Sequence, residues 1–319
     1  MEVLIFMLCY KTGLGEMYCG DSMELIDSLD DNSVDLVVTS PPFALLRQKE
    51  YGNENQDKYV DWLCGFAEKL FPKLKDTGSL VIDLGAAYNK GEPTYSLYQF
   101  RTLIKMCDVL GYKLAQPFYW HNTSALPAPI EWVNKRKLRC KNSVNTIWWL
   151  SKTSNPKSDV RKVLTPYSDR MKKLIAKPDD FFKDGAVRPS GHTMGNSWAN
   201  DNGGAIPPNM LMVSNAESNS LYLRGCKFNK VKGHPARFPM SIPEFFINYL
   251  TDENDLVVDI FGGSNTTGAT AEKLNRRWKS FELNREYVAS SSFRFVNDIN
   301  ETTSCYEKIL NEEVIDFTN

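Results

Sequence analysis

The chain has 319 residues, 42% hydrophobic and 24% charged, the proportions of an ordinary globular protein, which exclude wholesale disorder, collagen-like repeats and coiled coil. Lys and Arg number 38 against 39 Asp and Glu, a formal net charge of -1, so a uniformly basic coat is excluded and any nucleic-acid contact must come from a local basic face. The seven cysteines show no C-x-x-C pair or zinc spacing and read as reduced thiols of a cytoplasmic protein. The apolar run Leu4 to Cys9 is too short for a signal-peptide core, and no stretch approaches the roughly 18 apolar residues that cross a bilayer. Neither a membrane nor a metal is expected.

In chain order, Ser33 to Thr39 is an apolar, β-branched run that must stop at Ser40-Pro41-Pro42, because proline fixes φ and carries no N–H. Tyr59 to Leu74 has apolar residues at helical spacing, at Val60, Leu63, Phe66, Ala67 and Leu70. Gly78 to Leu84 is a second buried strand leading into Gly85-Ala86-Ala87. From about Ser151 to Lys232 the rhythm breaks. The segment is rich in Pro, Asn, Ser and Gly and carries Lys157, Arg161, Lys162, Arg170, Lys172, Lys173 and Lys177. An irregular loop of that length is unusual inside a domain, so the segment reads as an inserted lobe. Asp255 to Ile260 is a third strand, followed by Phe261-Gly262-Gly263, a helix from Ala269 to Leu274 and a short apolar run at Trp278 to Phe281. The polar, acidic stretch after Asn297 reads as ending in a loose tail. Strands apolar throughout and alternating with helices indicate an α/β fold with a parallel sheet covered on both faces. The predicted organisation is 1–150, a lobe at 151–232, and 233–319.

The glycine turn brings bare backbone to the carboxyl edge of a sheet, where nucleotide-like cofactors sit. It departs from G-x-G-x-x-G, and there is no G-x-x-x-x-G-K-[ST], so close strand-to-helix packing explains its glycines equally well. Two carboxylates flank it: Asp259 just before, and Glu282 about twenty residues on, at the spacing of a ribose acceptor. Ser40-Pro41-Pro42-Phe43 is sharper. Prolines that cannot donate leave the carbonyls of Ser40 and Pro41 free to accept the N–H bonds of an exocyclic amino group, stabilising the charge that develops as its nitrogen attacks a methyl donor. Phe43 can stack on a base withdrawn from the duplex. The competing reading is a proline-terminated strand with a buried Phe.

Together with His234-Pro235-Ala236-Arg237-Phe238-Pro239, these motifs resemble the amino-methylating DNA methyltransferases of the permuted class, in which the catalytic motif precedes the cofactor motif. The resemblance runs from about Met17 to Phe295 and takes in Glu50-Tyr51-Gly52-Asn53, the stretch 129–136 and the region 188–208. It implies the class I S-adenosylmethionine-dependent methyltransferase fold, a seven-stranded mostly parallel sheet with an inserted target-recognition lobe. Asp259, Phe261, Gly262, Gly263 and Ser264 would line the cofactor site and Glu282 would hold the ribose. Asp21 would meet the adenine, unless it merely caps a helix starting near Ser22. His234 and Pro235 would close over the methionine end. Asp83 would orient Ser40 or take a proton through it, the alternative being a strand-end hydrogen bond.

Ser before Pro-Pro implies cytosine N4 as the target, with adenine N6 as the alternative. C5 chemistry would need a thiolate after proline, and no Cys follows one. Lys135, Arg136, Lys137 and Arg139 are the expected phosphate contacts on double-stranded DNA, and Arg188, His192 and Asn196 the expected base readers. The resemblance further implies a monomer in action and a restriction-modification system whose endonuclease acts on the same site without contact. Rival readings are a catalytically silent DNA-binding protein and a nicotinamide-dependent oxidoreductase.

Overall fold

A computed structural model describes residues 7–44, 56–178, 199–216 and 219–318. The chain starts with strands β1 (Met7–Lys11) and β2 (Gly15–Cys19), helix α1 (Ser22–Leu25) and strand β3 (Val34–Thr39). Helix α2 (Gln56–Lys73) runs directly into β4 (Leu74–Leu84), and α3 (Tyr98–Asp108), β5 (Lys113–Asn122) and β6 (Val144–Ser151) follow. After α4 (Asp169–Ala176) come β7 (Met210–Val213), α5 (Leu221–Phe228) and α6 (Ser241–Leu250). The remainder is β8 (Leu256–Asp259), α7 (Thr266–Lys273), β9 (Arg277–Glu282), α8 (Arg285–Ser291), α9 (Glu301–Leu310) and β10 (Ile315–Asp316).

All these strands join one sheet in the order β10-β1-β2-β9-β8-β3-β4-β6-β5-β7. The central run from β2 to β4 is parallel, whereas β6 is antiparallel to both its neighbours. Among the described residues the sheet therefore has ten strands where seven were expected. Short pieces widen both margins: β1 forms a hairpin with β2, β10 lies along β1, and β7 lies along β5. The expectation of a loose C-terminal tail is corrected too, since α9 buries Cys305 and Ile309, and Phe317 N–H donates to the Lys11 carbonyl at 2.9 Å.

Every residue of β3 and of β8 is buried, as the uninterrupted apolar runs required. Alternate side chains serve opposite faces. Val37, Leu80, Ile82 and Val258 pack with Tyr59, Leu63 and Leu70 of α2, while Leu36, Val38, Val81 and Val257 pack with Phe246 and Ile247 of α6 and Val288 of α8. Pro72 sits in the last turn of α2, and the carbonyls of Pro72 and Lys73 accept Asn32 N–H and Ser33 N–H at 2.9 and 3.0 Å, which delivers the chain into β3. Among the described residues no helix is long and apolar enough to cross a membrane.

The chain divides into two compact units, one of 1–158 with 209–319 and the other of Asp159–Pro208. The second is narrower than the 151–232 span read from composition, because β7 enters the sheet and α5 packs on the segment after α8. Within that smaller unit Thr165 and Ala205 exchange backbone hydrogen bonds of 2.9 and 2.8 Å, and Ser168 caps α4.

Candidate active site

Strands β3 and β8 are parallel neighbours, with Leu36 opposite Val257 and Val37 opposite Val258, so the Ser-Pro-Pro-Phe segment and the glycine turn leave the same edge of the sheet side by side. Thr39 Oγ1 donates to Asp259 Oδ1 at 2.7 Å, Phe261 N–H donates to that same oxygen at 3.1 Å, and Thr267 Oγ1 donates to Oδ2 at 2.6 Å. Burial raises the Asp259 pKa against the pull of these donors. Both oxygens are engaged with the protein, so Asp259 acts as the knot that shapes the turn.

Gly262 N–H donates to Phe281 O at 2.8 Å, tying the turn to β9. Gly263 has φ +51°, and a Cβ there would come within 3.2 Å of the His234 ring. Its N–H donates to Glu282 Oε2 at 2.8 Å, while Glu282 Oε1 accepts Asn284 N–H at 2.8 Å. Burial raises the Glu282 pKa, and these two backbone donors oppose it. Arg294 grips Ser264 through the carbonyl at 2.6 Å and the hydroxyl at 3.2 Å. Asn265 caps α7 from a left-handed conformation. His234 stands edge-on to Tyr287 with ring centres 4.5 Å apart, and the His234 backbone N–H donates to Tyr222 Oη at 2.8 Å. Burial lowers its pKa to about 4, so the imidazole is neutral near pH 7. The following Pro235 is exposed.

Two expected cofactor residues also have partners within the protein. The Phe261 ring packs on Trp62 and Phe66, with centroids 5.5 and 5.0 Å away, so its side chain belongs to the core. Asp21 Oδ1 accepts Met23 N–H at 2.9 Å and caps α1, the alternative its sequence context had allowed. Arg294 and Tyr222 had no signal in the sequence, because the first reaches the turn and the second His234 from other segments, while Asn265, within the turn, is held by distant Tyr10.

On the catalytic side, Ser40 Oγ donates to Asp83 Oδ2 at 3.1 Å, and Asn145 Nδ2 approaches the same oxygen at 3.4 Å. Asp83 Oδ1 is buried with no hydrogen-bond partner among the described residues. Burial pushes the Asp83 carboxyl up to about 7 against the contributions of Ser40 and Asn145. Tyr59 Oη donates to the Pro42 carbonyl at 2.7 Å, and no side chain among the described residues donates to the carbonyls of Ser40 or Pro41. The Phe43 ring lies against bare Gly85, where an added Cβ would sit 2.2 Å from Cε2. Ser40, Phe43, Asp83 and Gly85 share the wall of a cavity of about 260 Å³ with Asn142 and Asn145. That space suits a single ring system better than a drug-sized ligand, whose pockets start at roughly 300 Å³. Scattered asparagines gave no motif from which this wall could be read.

The expected DNA contacts are unequal. Lys135 pairs with Glu131 at 3.4 Å, the Arg136 guanidinium lies 4.9 Å from the Trp132 ring centre, and Arg139 stacks 4.1 Å from Tyr95 and 4.8 Å from Tyr88. Lys137 is exposed at a left-handed turn, φ 53°. Lys157, taken with the lobe's basic set, instead bridges Asp252 and Asp255 at 2.6 Å each. Arg161 forks onto Asp159 through bonds of 2.9 and 2.8 Å. Arg188, His192 and Asn196 lie outside the described residues.

The DNA methylase family, N6_N4_Mtase, matches residues 34–293. The chain is 58% identical over 313 residues to the type II methyltransferase M.PvuII of Proteus hauseri, covering 97% of this chain and 93% of that one. It is 26% identical over 282 residues to the type II methyltransferase M.BglII of Bacillus subtilis, covering 87% and 68%. The solved PvuII DNA methyltransferase, titled cytosine-N4-specific, superposes with a TM-score of 0.81 at 49% identity, covering 99% of this chain and all 100% of the other. With the Ser-Pro-Pro-Phe segment and the glycine turn emerging side by side from the sheet and a family match over most of its length, the chain belongs to the N6/N4 DNA methylases.

Proposed function

We propose that this chain transfers a methyl group from S-adenosylmethionine to the N4 of cytosine in double-stranded DNA, as the modification enzyme of a type II restriction-modification system. The observation that carries the reading is the Ser40–Asp83 hydrogen bond on the wall of a base-sized cavity, with Ser40 at the end of β3, the neighbour of the strand that leads into the Gly262-Gly263 turn, and Asp83 on β4 beyond it. S-adenosylmethionine supplies an electrophilic methyl group when bound. The residues present fit it: left-handed Gly263 offers a cradle that a side chain would fill, and each Glu282 oxygen keeps a lone pair for a ribose hydroxyl after accepting one backbone N–H. His234 and Pro235 flank this turn as the cover for the methionine end. Asp21, Asp259, Phe261 and Ser264 complete the site, the last three chiefly by shaping the turn.

Cytosine leaves the duplex and enters the cavity against Phe43. The carbonyls of Ser40 and Pro41 accept its amino hydrogens, which localises the nitrogen lone pair. The proton released from N4 passes to Ser40 Oγ as Ser40 gives its own to Asp83. Lys135, Arg136, Lys137 and Arg139 face phosphates, and the smaller unit, 159–208, with Arg188, His192 and Asn196, reads bases. The enzyme works as a monomer in the cytoplasm, a compartment that suits seven free cysteines, and its endonuclease partner needs no contact with it. Serine at position 40, together with the likeness to the 49% identical PvuII enzyme, which is named cytosine-N4-specific, favours cytosine over adenine N6.

The test is transfer of radiolabelled methyl groups to plasmid DNA, followed by nucleoside mass analysis. N4-methyldeoxycytidine is the expected product; N6-methyldeoxyadenosine, or no label, overturns the reading. Ser40→Ala should bind cofactor normally and lose most turnover.

A further inference from the structure

Asn142 lies half-buried on the cavity wall, and its side-chain carbonyl is the shared acceptor of two phenols. Tyr88 Oη donates to Asn142 Oδ1 at 2.9 Å, and Tyr95 Oη donates to the same atom. The two tyrosines are themselves fixed. Their rings stack at 4.9 Å and 22°, their backbones form a bridge, and the Arg139 guanidinium lies over both rings while donating to the Pro93 carbonyl. Asn142 N–H donates to Ala128 O at 3.1 Å, which holds the backbone as well.

An amide oxygen has two lone pairs, and here both are taken. In the structure both phenol hydroxyls donate to Oδ1, so the amide oxygen faces the tyrosine pair. The consequence falls on Nδ2, which donates to none of the described residues and belongs to a side chain on the cavity wall.

We propose that Asn142 is a base-positioning and specificity-determining residue that donates from Nδ2 to ring N3 of the flipped cytosine. This rests on reading the cavity as the base pocket. N3 is bonded to the carbon that carries the amino group, so one ring edge is held at adjacent positions, the amino group by the Ser40 and Pro41 carbonyls and N3 by Asn142. Thymine carries N3–H, which would meet the Asn142 donor head-on, and a buried donor left facing a donor is rejected strongly. The Tyr88–Tyr95–Arg139 stack acts behind Asn142 by holding its amide.

The experiment measures single-turnover methylation of duplexes whose target is cytosine or 3-deazacytosine, which replaces N3 by C–H. The wild-type protein should lose roughly 10- to 100-fold on the analogue. Asn142→Ala should lose a similar factor on cytosine and less than about threefold more on the analogue, with cofactor affinity by calorimetry unchanged. Asn142→Asp, which keeps the shape but removes the donor, should give the same pattern, and Tyr88→Phe with Tyr95→Phe a weaker version of it. Penalties that simply multiply overturn the inference, since a purely structural role has no reason to depend on N3. A fluorescent cytosine analogue at the target that does not change on binding wild-type protein would remove the base-pocket reading itself, and this inference with it.

Discussion

Thr39 and Asp259, 220 positions apart, are joined by a 2.7 Å hydrogen bond from a buried hydroxyl to a buried carboxylate. Thr39 immediately precedes Ser40, and Asp259 ends the strand that feeds Phe261, Gly262 and Gly263. The bond therefore sets the distance between the Ser-Pro-Pro-Phe segment, proposed to hold the base, and the glycine turn, proposed to hold the cofactor. Parallel pairing of β3 with β8 aligns the two strands, but pairing stops at Val37 and Val258. Beyond that point the side-chain bond keeps the two loops in register.

Thr39→Val removes the hydroxyl and leaves Asp259 Oδ1 with Phe261 N–H alone. Weakening the satisfaction of a buried carboxylate costs about 1–3 kcal/mol. The midpoint of thermal unfolding should fall by several degrees, at roughly 2–4 °C per kcal/mol for a domain of this class. Cofactor affinity should fall with it, because the turn loses an anchor. A variant with wild-type melting and calorimetric affinity would show that strand pairing alone holds the two loops.

Asp83 gives two pH dependences of defined sign. Burial raises its pKa from 3.8 to about 7, so the folded state holds this proton more tightly than the unfolded chain does. Its contribution to stability is fully present below about pH 4 and is lost as pH rises through about 7. Asp83→Asn, neutral throughout, should gain stability over the wild type at pH 8, with the difference shrinking toward pH 4 in urea titrations. Methyl transfer should run the other way, because in the proposed relay Ser40 needs the ionised carboxylate as proton acceptor. The rate should rise with pH through about 7 in the wild type and be low and flat in Asp83→Asn. The same inflection in the variant would assign it to another group.

Gly85→Ala tests the cavity independently of the charged groups. A methyl group there would meet the Phe43 ring at 2.2 Å, so the ring must move from the wall it forms. Misplacement of a stacking surface should lower kcat/KM for DNA by about tenfold or more. Cofactor affinity should be unchanged, because Gly85 and Phe43 lie on the base side. Parallel calorimetry and single-turnover rates check this, and equal loss in both would mean that the two sites collapse together.

Much of the central frame was legible because its signals are local. The runs 33–39, 78–84 and 255–260 are largely apolar and closed by proline or followed by glycine, though β4 starts four residues before its run, and Leu63, Phe66 and Leu70 carry the period of α2. The margins were not, since β1, β7 and β10 are four or five residues or fewer and depend on the neighbour they pair with. The site divides in the same way. Ser40 and Gly263 stand out by sequence context, whereas Asn265 is held through Tyr10, 255 positions away, and Asn142 through Tyr88, 54 positions away. Motifs also name a residue without its direction, which is why the Phe261 ring points into the core and Asp21 spends an oxygen on a helix cap.

The basic residues are separable by salt. A lysine that neutralises one phosphate releases condensed counterions, and its removal should flatten the slope of log K against log salt by about one. Lys137 is exposed at its turn and should behave this way as Lys137→Ala, with melting unchanged. Lys157 is held between Asp252 and Asp255, so Lys157→Ala should leave the slope alone and lower stability by exposing two neighbouring carboxylates to each other. Arg139→Ala combines both effects at another place, because the same guanidinium backs the tyrosine pair behind Asn142. It should lose salt dependence together with turnover on cytosine. Fluorescence anisotropy across a salt series distinguishes the three, and a Lys137→Ala slope equal to that of the wild type would exclude this turn from the DNA contact.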